Sequence, residues 1–186
     1  MTRSYPDTVA GPYDPPPHPF DDTEGRALEV REYGTTASRA EEFESLVEMY
    51  GAFDPADRAQ GIPPIGEAAV RKWLDGILDE ACLNVVAWHG DDAVGHATLV
   101  PDFDTGETPP DMAYELAIFV LAGYQGAGIG TRLMKTLLGL GREAGIEHVW
   151  LTVERWNRPA VALYEKVGFE ETGDGGFELE MSALLQ

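Results

Sequence analysis

In "GYQGAGIGTRL", Gly123 to Leu133, the glycines 126, 128 and 130 are spaced by small residues, directly after an apolar run and directly before an apolar pattern of helical period. That junction constrains the fold more than any other feature of the chain. Glycines without side chains let backbone amides close on a phosphate, and a helix start supplies unpaired N–H groups at the positive end of its dipole. The segment predicts a strand, an anion-binding turn and a helix, in that order.

Two phosphate-loop templates fail here. A Walker A loop ends in Gly-Lys-Ser/Thr so that the lysine reaches the terminal phosphates, whereas Gly130 is followed by Thr131 and Arg132. A dinucleotide fingerprint needs Gly-x-Gly-x-x-Gly; counted from Gly126 the last position is Thr131, and from Gly128 it is Leu133. The loop also lies two thirds of the way along the chain, not after a first strand.

The 186 residues suffice for one well-filled core, so one domain is expected over 25–186, preceded by an acidic, proline-rich arm over 1–24. That arm, "MTRSYPDTVAGPYDPPPHPFDD" and the residues after it, carries too few apolar side chains for a regular element and reads as flexible or draped on the surface. It lacks the apolar core of a secretory signal, no stretch is long and apolar enough for a membrane helix, and a cytoplasmic location is expected. The single cysteine, Cys82 in "EACLNVV", excludes an internal disulfide and reads as a small buried hydrophobe.

Against 33 acidic residues stand 13 cations, only three of them lysine, for a formal charge of -20. Nucleic acid and anionic membranes are therefore poor partners. This lysine-poor acidity resembles that of proteins from salt-loving organisms; an ordinary acidic protein is the alternative. Gly123 to Phe169 runs against the trend, with six cations (Arg132, Lys135, Arg142, Arg155, Arg158, Lys166) to four acids, as a segment that meets an anion would.

Along the rest of the chain, "ALEVREY" alternates as a half-buried strand, and Ser38 with Glu41 forms a capping box ahead of Phe43, Leu46, Val47 and Tyr50. After the breaker "GAFDPADRAQGIPPIG", Val70, Trp73, Leu74, Ile77 and Leu78 share one face of a second helix. "CLNVVAWHGDDAVGHATLV" reads as two strands around a turn, and "MAYELAIFVL", apolar on both faces, as a central strand buried between layers. Ile129, Leu133, Leu137 and Leu138 give a helix, "HVWLTV" another interior strand, and "NRPAVALYEKVGF" a short helix capped by Asn157 with Pro159 in its first turn. A hairpin around Gly173 to Gly176 closes the chain. This order implies an α/β chain of the α+β type, a mixed seven-stranded sheet flanked by helices on both faces.

What does match the glycine loop is Gln125-x-x-Gly128-x-Gly130, and 26 residues after Gly130 begins "WNRPAVALYEKVGF". Together these resemble the two signatures of the GNAT superfamily of N-acetyltransferases, with Asn157, Ala160, Leu163, Tyr164, Lys166, Gly168 and Phe169 in their usual places. The resemblance covers about residues 27 to 183. It implies the GNAT fold, acetyl-CoA as co-substrate, an amine acceptor (small molecule, protein lysine or N-terminus) and a possible homodimer. It also admits a binding module that keeps the CoA site without catalysis.

Carried over residue by residue, the resemblance implies that the amides of Gly126, Ala127, Gly128, Ile129, Gly130 and Thr131 hold the pyrophosphate, with a hydrogen bond from Gln125. Backbone groups of Ile118, Phe119 and Val120 would position the thioester, with Asn157 near the pantetheine. Tyr164 matches the phenol that protonates the departing thiolate. An alkylammonium must lose a proton before it can attack, so a base is required as well. Glu115, the only charge between Ala113 and Ala122, is one candidate, and His96 in "VGHATLV" is a second; either could instead be a buried group satisfied by its neighbours. Glu154 reads as structural. The four histidines have no ligand spacing, no metal site is expected, and transfer within a ternary complex needs neither metal nor cysteine. The acceptor is expected over "DPADRAQGIPPIG" and the closing hairpin.

Overall fold

The computed structural model describes residues 3–35, 38–54, 56, 62–103, 112–174 and 176–186. Most of "DPADRAQGIPPIG" before Ile62, and residues 104–111 of the loop after Pro101, lie outside the described residues. In chain order the elements begin β1 (His18–Asp21), β2 (Ala27–Glu32), α1 (Arg39–Gly51), α2 (Glu67–Ile77), β3 (Leu83–His89) and β4 (Asp92–Pro101). They continue β5 (Ala113–Val120), α3 (Ile129–Glu143), β6 (His148–Glu154), α4 (Arg158–Lys166), β7 (Glu170–Asp174) and β8 (Glu178–Leu184).

Local chemistry sets the helix starts. The Ser38 hydroxyl accepts from the Glu41 N–H, and Glu41 and Glu42 place negative charge in the first turn of α1, at the positive end of its dipole. Asn157 does the same for α4, its Oδ1 accepting from the Ala160 N–H beside a proline in the first turn. The start of α3 differs: Gly128 stands at its N-cap with φ of 87° and no side chain to cap it.

The strands form one sheet in the order β1-β2-β3-β4-β5-β6-β8-β7, antiparallel throughout except for β5 against β6. Eight strands therefore replace the expected seven. The extra one is β1, within the arm expected to hold no regular element: His18 to Asp21 pair with Val30 to Ala27. Four residues containing a proline show no readable alternation, and β1 exists because the edge of β2 offers it a partner. Asp22 then locks the turn. Its buried carboxylate accepts from the N–H groups of Glu24 and Arg26 and from Arg26 Nε at 2.6 Å. Burial alone would raise its carboxyl, but the hydrogen bonds from Arg26 and Glu24 prevail and hold it below the ordinary value.

The helices divide the sheet unequally. On one face α3 buries Ile129, Leu133, Met134, Leu137 and Leu138 against β2 to β5 and β6, each large side chain contributing about 2 kcal/mol of hydrophobic stabilisation. On the other face α1 and α2 enclose a second cluster with Val86, Trp88 and Ala93. Neither α1 nor α2 extends over β6 and β8. The expectation of interior strands is corrected there: along β6 only Val149, Leu151 and Val153 are buried, while His148, Trp150, Thr152 and Glu154 alternate on a partly open face. Within β5 only Ala113 and Leu116 are buried, and Glu115 is exposed.

The segment before β1 is draped over the molecule. Arg3 lies on the open face of β6 and β8, Tyr5 packs against His148 with ring centroids 4.3 Å apart, and the Ala10 N–H donates to the Leu184 carbonyl. Tyr13 then donates its hydroxyl to the Val167 carbonyl, on the side of α4. Among the described residues no helix is long and apolar enough to cross a membrane.

Candidate active site

The centre of the sheet carries a parting of two paired strands. β5 pairs with β6 only through Ala113, Tyr114 and Glu115, opposite His148, Val149 and Trp150. Beyond that point β5 stays on β4 as far as Gly95↔Val120, and β6 stays on β8 as far as Glu154↔Glu178. The two strands therefore part, and among the described residues the β6-facing edge of Leu116 to Val120 has no strand partner. Unpaired strand edges inside a protein invite an extended ligand to complete the ladder.

At the open end of that seam stands the glycine loop. Gly126 and Gly128 have φ of 72° and 87°, a left-handed conformation costly for any residue with a Cβ. They turn the chain so that α3 starts facing outward, and its first bonded amide is that of Arg132, to the Gly128 carbonyl. The N–H groups of Ile129, Gly130 and Thr131 precede it uncapped. Ala127 and Ile129 bury their side chains, so what these two residues offer a ligand is backbone. The turn after β1 braces the loop: the Thr23 N–H donates to the Ala127 carbonyl, and Arg26 donates to the Gly123 carbonyl while covering the Tyr124 ring.

Gln125 takes a different position from the one expected. Its side-chain amide donates to the Val120 carbonyl at 2.9 Å, fastening the loop to the end of β5 instead of reaching outward. Replacing Gly128 with alanine meets open space but a strained φ, at a cost of about 1 to 2 kcal/mol. The variant is expected to fold, with a lowered melting temperature and weaker acetyl-CoA binding by calorimetry.

Across the seam, α4 presents Tyr164. Leu163 beside it and Ile118 of β5 both approach Gly130, so loop, strand and helix meet within van der Waals reach. The Tyr164 ring packs 6.1 Å from Phe169, and its hydroxyl has no partner among the described residues. Burial pushes its pKa up to about 12, so the phenol holds its proton throughout the neutral range.

The two base candidates separate sharply. Glu115 is the last β5 residue paired to β6, exposed on the face opposite α3. Partial desolvation raises its carboxyl above the ordinary value; Arg3 pulls it down and Asp102 pushes it up. His96 lies on the same face of the sheet but is fully buried beneath α1 and α2. Its Nδ1 is 2.6 Å from the Tyr50 hydroxyl and its Nε2 is 2.8 Å from Asn84 Oδ1. Because Asn84 Nδ2 donates to the Ile77 carbonyl, Oδ1 must accept, which assigns the proton to Nε2 and leaves Nδ1 accepting from Tyr50. With both nitrogens engaged and burial lowering its pKa to about 3, His96 is a structural link between β4, α1 and the end of α2. This geometry gives an acceptor amine no route to it.

Ile118 and Val120 face the α3 side, whereas Phe119 packs into an aromatic group with Tyr50, Phe53 and Trp73. That contact anchors the unpaired half of β5. Asn157 caps α4 through its Oδ1, and its amide nitrogen has no partner among the described residues; Glu154 sits across from Glu178 on β8. Cys82 is half-buried, its thiol pushed up by desolvation and by Asp79, away from nucleophilic chemistry. Sequence reasoning missed Arg3, Asp102, Trp150 and Glu180, which gather beside Glu115. No local pattern marks them.

Comparison with known proteins gives the family and the fold. The family model described as the acetyltransferase (GNAT) family matches residues 43–169, from α1 to the end of the second signature. The chain belongs to the GNAT family. Over 69 residues it is 46% identical to the N-alpha-acetyltransferase RimI of Mycobacterium tuberculosis, a match covering 37% of this chain and 41% of that relative. The GNAT domain of S. lividans PAT superposes with a TM-score of 0.73 at 17% identity, covering 91% of this chain and 97% of that one. The yncA structure from Salmonella typhimurium, described with its cofactor acetyl-CoA, superposes with a TM-score of 0.64 at 17% identity over 86% and 94% of the two chains. The fold is thus the GNAT fold, which binds acetyl-CoA, here with a sheet of eight strands.

Proposed function

We propose that this GNAT protein transfers the acetyl group of acetyl-CoA to a primary amine by direct attack in a ternary complex. The observation that carries the reading is the parting of β5 and β6, with an uncapped helix start at its open end, a protonated phenol on one side and a carboxylate at its apex. The residues fit the donor: uncapped amides of Ile129 to Thr131 suit a pyrophosphate, and the β5 edge from Leu116, free as far as the Val120 carbonyl that Gln125 holds, suits an amide-bearing arm. When bound, acetyl-CoA supplies an activated acyl carbon and a thiolate leaving group.

Glu115 accepts the proton of the acceptor ammonium, directly or through water, and frees the nitrogen lone pair to form the new N–C bond. As the C–S bond breaks, Tyr164 gives its phenolic proton to sulfur, and the second proton, lost by the nitrogen after attack, restores the phenol through solvent while Glu115 returns the first to bulk water. A backbone N–H of the free β5 edge stabilises the carbonyl oxygen while it carries charge. His96 holds the α1 and α2 layer against β4, the neighbour of this strand. The RimI relative's name describes an N-alpha-acetyltransferase, which favours an amine at a peptide N-terminus as one acceptor; a small amine is the other.

Thiol release from acetyl-CoA with amines, amino acids and peptides tests the proposal, and binding of CoA with no turnover on any acceptor would replace it with the binding-module reading. Glu115→Gln is expected to lower kcat/KM about 100-fold, the usual scale for losing a positioned base. The pH profile gives the sign. Glu115 is active when deprotonated, so wild-type kcat/KM rises with pH through its raised pKa, while Tyr164 stays protonated well beyond neutrality. The variant should lose that acid limb; a limb that persists would assign the base elsewhere.

A further inference from the structure

Arg3 occupies a built cation site on the open face of β6 and β8. Its Nη1 lies 2.6 Å from Asp102 Oδ2, its Nε lies 3.3 Å from Glu180 Oε2, and its guanidinium carbon is 3.5 Å from the centre of the Trp150 ring. The side chains of Arg3 and Asp102 are 22% and 11% exposed, so this is a partly desolvated seat and not a surface pairing. A carboxylate pair above an aromatic face is how proteins recognise guanidinium and ammonium groups.

The position matters as much as the chemistry. Trp150 is the direct cross-strand partner of Glu115 at the apex of the seam, so the seat adjoins the proposed base. Glu115 also feels both Arg3 and Asp102 electrostatically. The Trp150 indole nitrogen is buried without a hydrogen-bond partner among the described residues, so what the ring offers the seat is its face. The cation filling the seat belongs to the draped segment before β1, held nearby by the Tyr5 contact to His148.

We propose that this seat binds a second positive charge on the acceptor, and that Arg3 is an internal surrogate which the acceptor must displace. The inference rests on the acetyltransferase reading above and names the substrate class: a primary amine that also carries a guanidinium or ammonium group, as a diamine or basic peptide does. In the productive arrangement the second cation lies on Trp150 between Asp102 and Glu180, and the reactive amine faces Glu115. Because the acceptor binds only while Arg3 is out of the seat, its apparent affinity is the intrinsic affinity multiplied by the fraction of time the seat is empty.

The test compares the wild type with Arg3→Ala and with the triple variant Arg3→Ala, Asp102→Asn, Glu180→Gln. Thiol release with agmatine and with pentylamine, a singly charged amine, is measured beside calorimetric binding of agmatine to the CoA-loaded protein. Arg3→Ala should lower the KM and Kd for agmatine about tenfold or more and change the KM for pentylamine less than about twofold, and the triple variant should lose the agmatine preference. Equal use of the two amines by wild type and Arg3→Ala would overturn the proposal while leaving the acetyltransferase reading intact. So would a lowered melting temperature in Arg3→Ala with agmatine affinity unchanged, the outcome of a purely structural clamp. If no amine is turned over, the acetyltransferase reading fails, and calorimetry still decides the seat: agmatine binding gained in Arg3→Ala and lost in the triple variant upholds it, and no gain overturns it.

Discussion

Tyr164→Phe is expected to reduce kcat by about 100-fold or more while leaving acetyl-CoA binding within a factor of about two. The phenol, on α4 and packed against the core, is held protonated with its pKa pushed up to about 12, and its hydroxyl has no structural partner among the described residues to lose. Removing one oxygen therefore costs little packing, and the ring contact with Phe169 remains. The deficit should fall in the step that expels the thiolate. Steady-state thiol release and calorimetric CoA binding check this together; full activity in the variant would remove Tyr164 from the mechanism. A merely structural tyrosine would show itself as lost stability with kcat kept.

The second large effect concerns stability in acid. His96 has a folded pKa of about 3 against an ordinary 6.5, because burial disfavours its charged form. The unfolded chain therefore binds a proton that the folded chain refuses, and stability falls as pH drops from about 6.5 toward 3. Between pH 7 and pH 4.5 this single group should remove about 2.5 kcal/mol, given about 1.36 kcal/mol per pKa unit. His96→Gln cannot take up that proton. Urea unfolding at the two pH values should show the variant losing about 2.5 kcal/mol less than wild type, although it starts less stable at pH 7 because the bonds to Tyr50 and Asn84 are disturbed. Equal losses in the two proteins would mean that His96 is not held neutral.

How much of this was legible follows from the range of each interaction. Ser38 capping Glu41, Asn157 capping Ala160 and the glycine turn before α3 each act over three or four residues, and each was readable as local chemistry. The two signatures brought family membership with them, because the loop and α4 carry their motifs in contiguous residues. β1 was not readable, since its four residues are held by pairing with β2 and by the Asp22 turn, not by any pattern of their own. Gln125 was expected to face the ligand, yet its nearest unpaired acceptor is the Val120 carbonyl five residues back.

For the candidate base, Glu115 and His96 looked alike: one ionisable group each in an apolar strand. Only packing separates them. His96 meets Tyr50 from α1 and Asn84 from β3, 46 and 12 residues away, whereas Glu115 sits exposed where β5 leaves β6, beyond the cover of α1 and α2.

By itself the sequence determined the order of the strands and helices after β1, the glycine turn before α3, the tyrosine on α4 and the family, since all of these depend on spacings of a few residues. Tertiary structure decided where β5 and β6 part, which carboxylate is open to an acceptor, and that Arg3 crosses the molecule to sit on Trp150 beside Asp102 and Glu180. Arg3 and Glu180 stand 177 residues apart, and no local pattern encodes a contact whose energy appears only once the whole sheet is assembled.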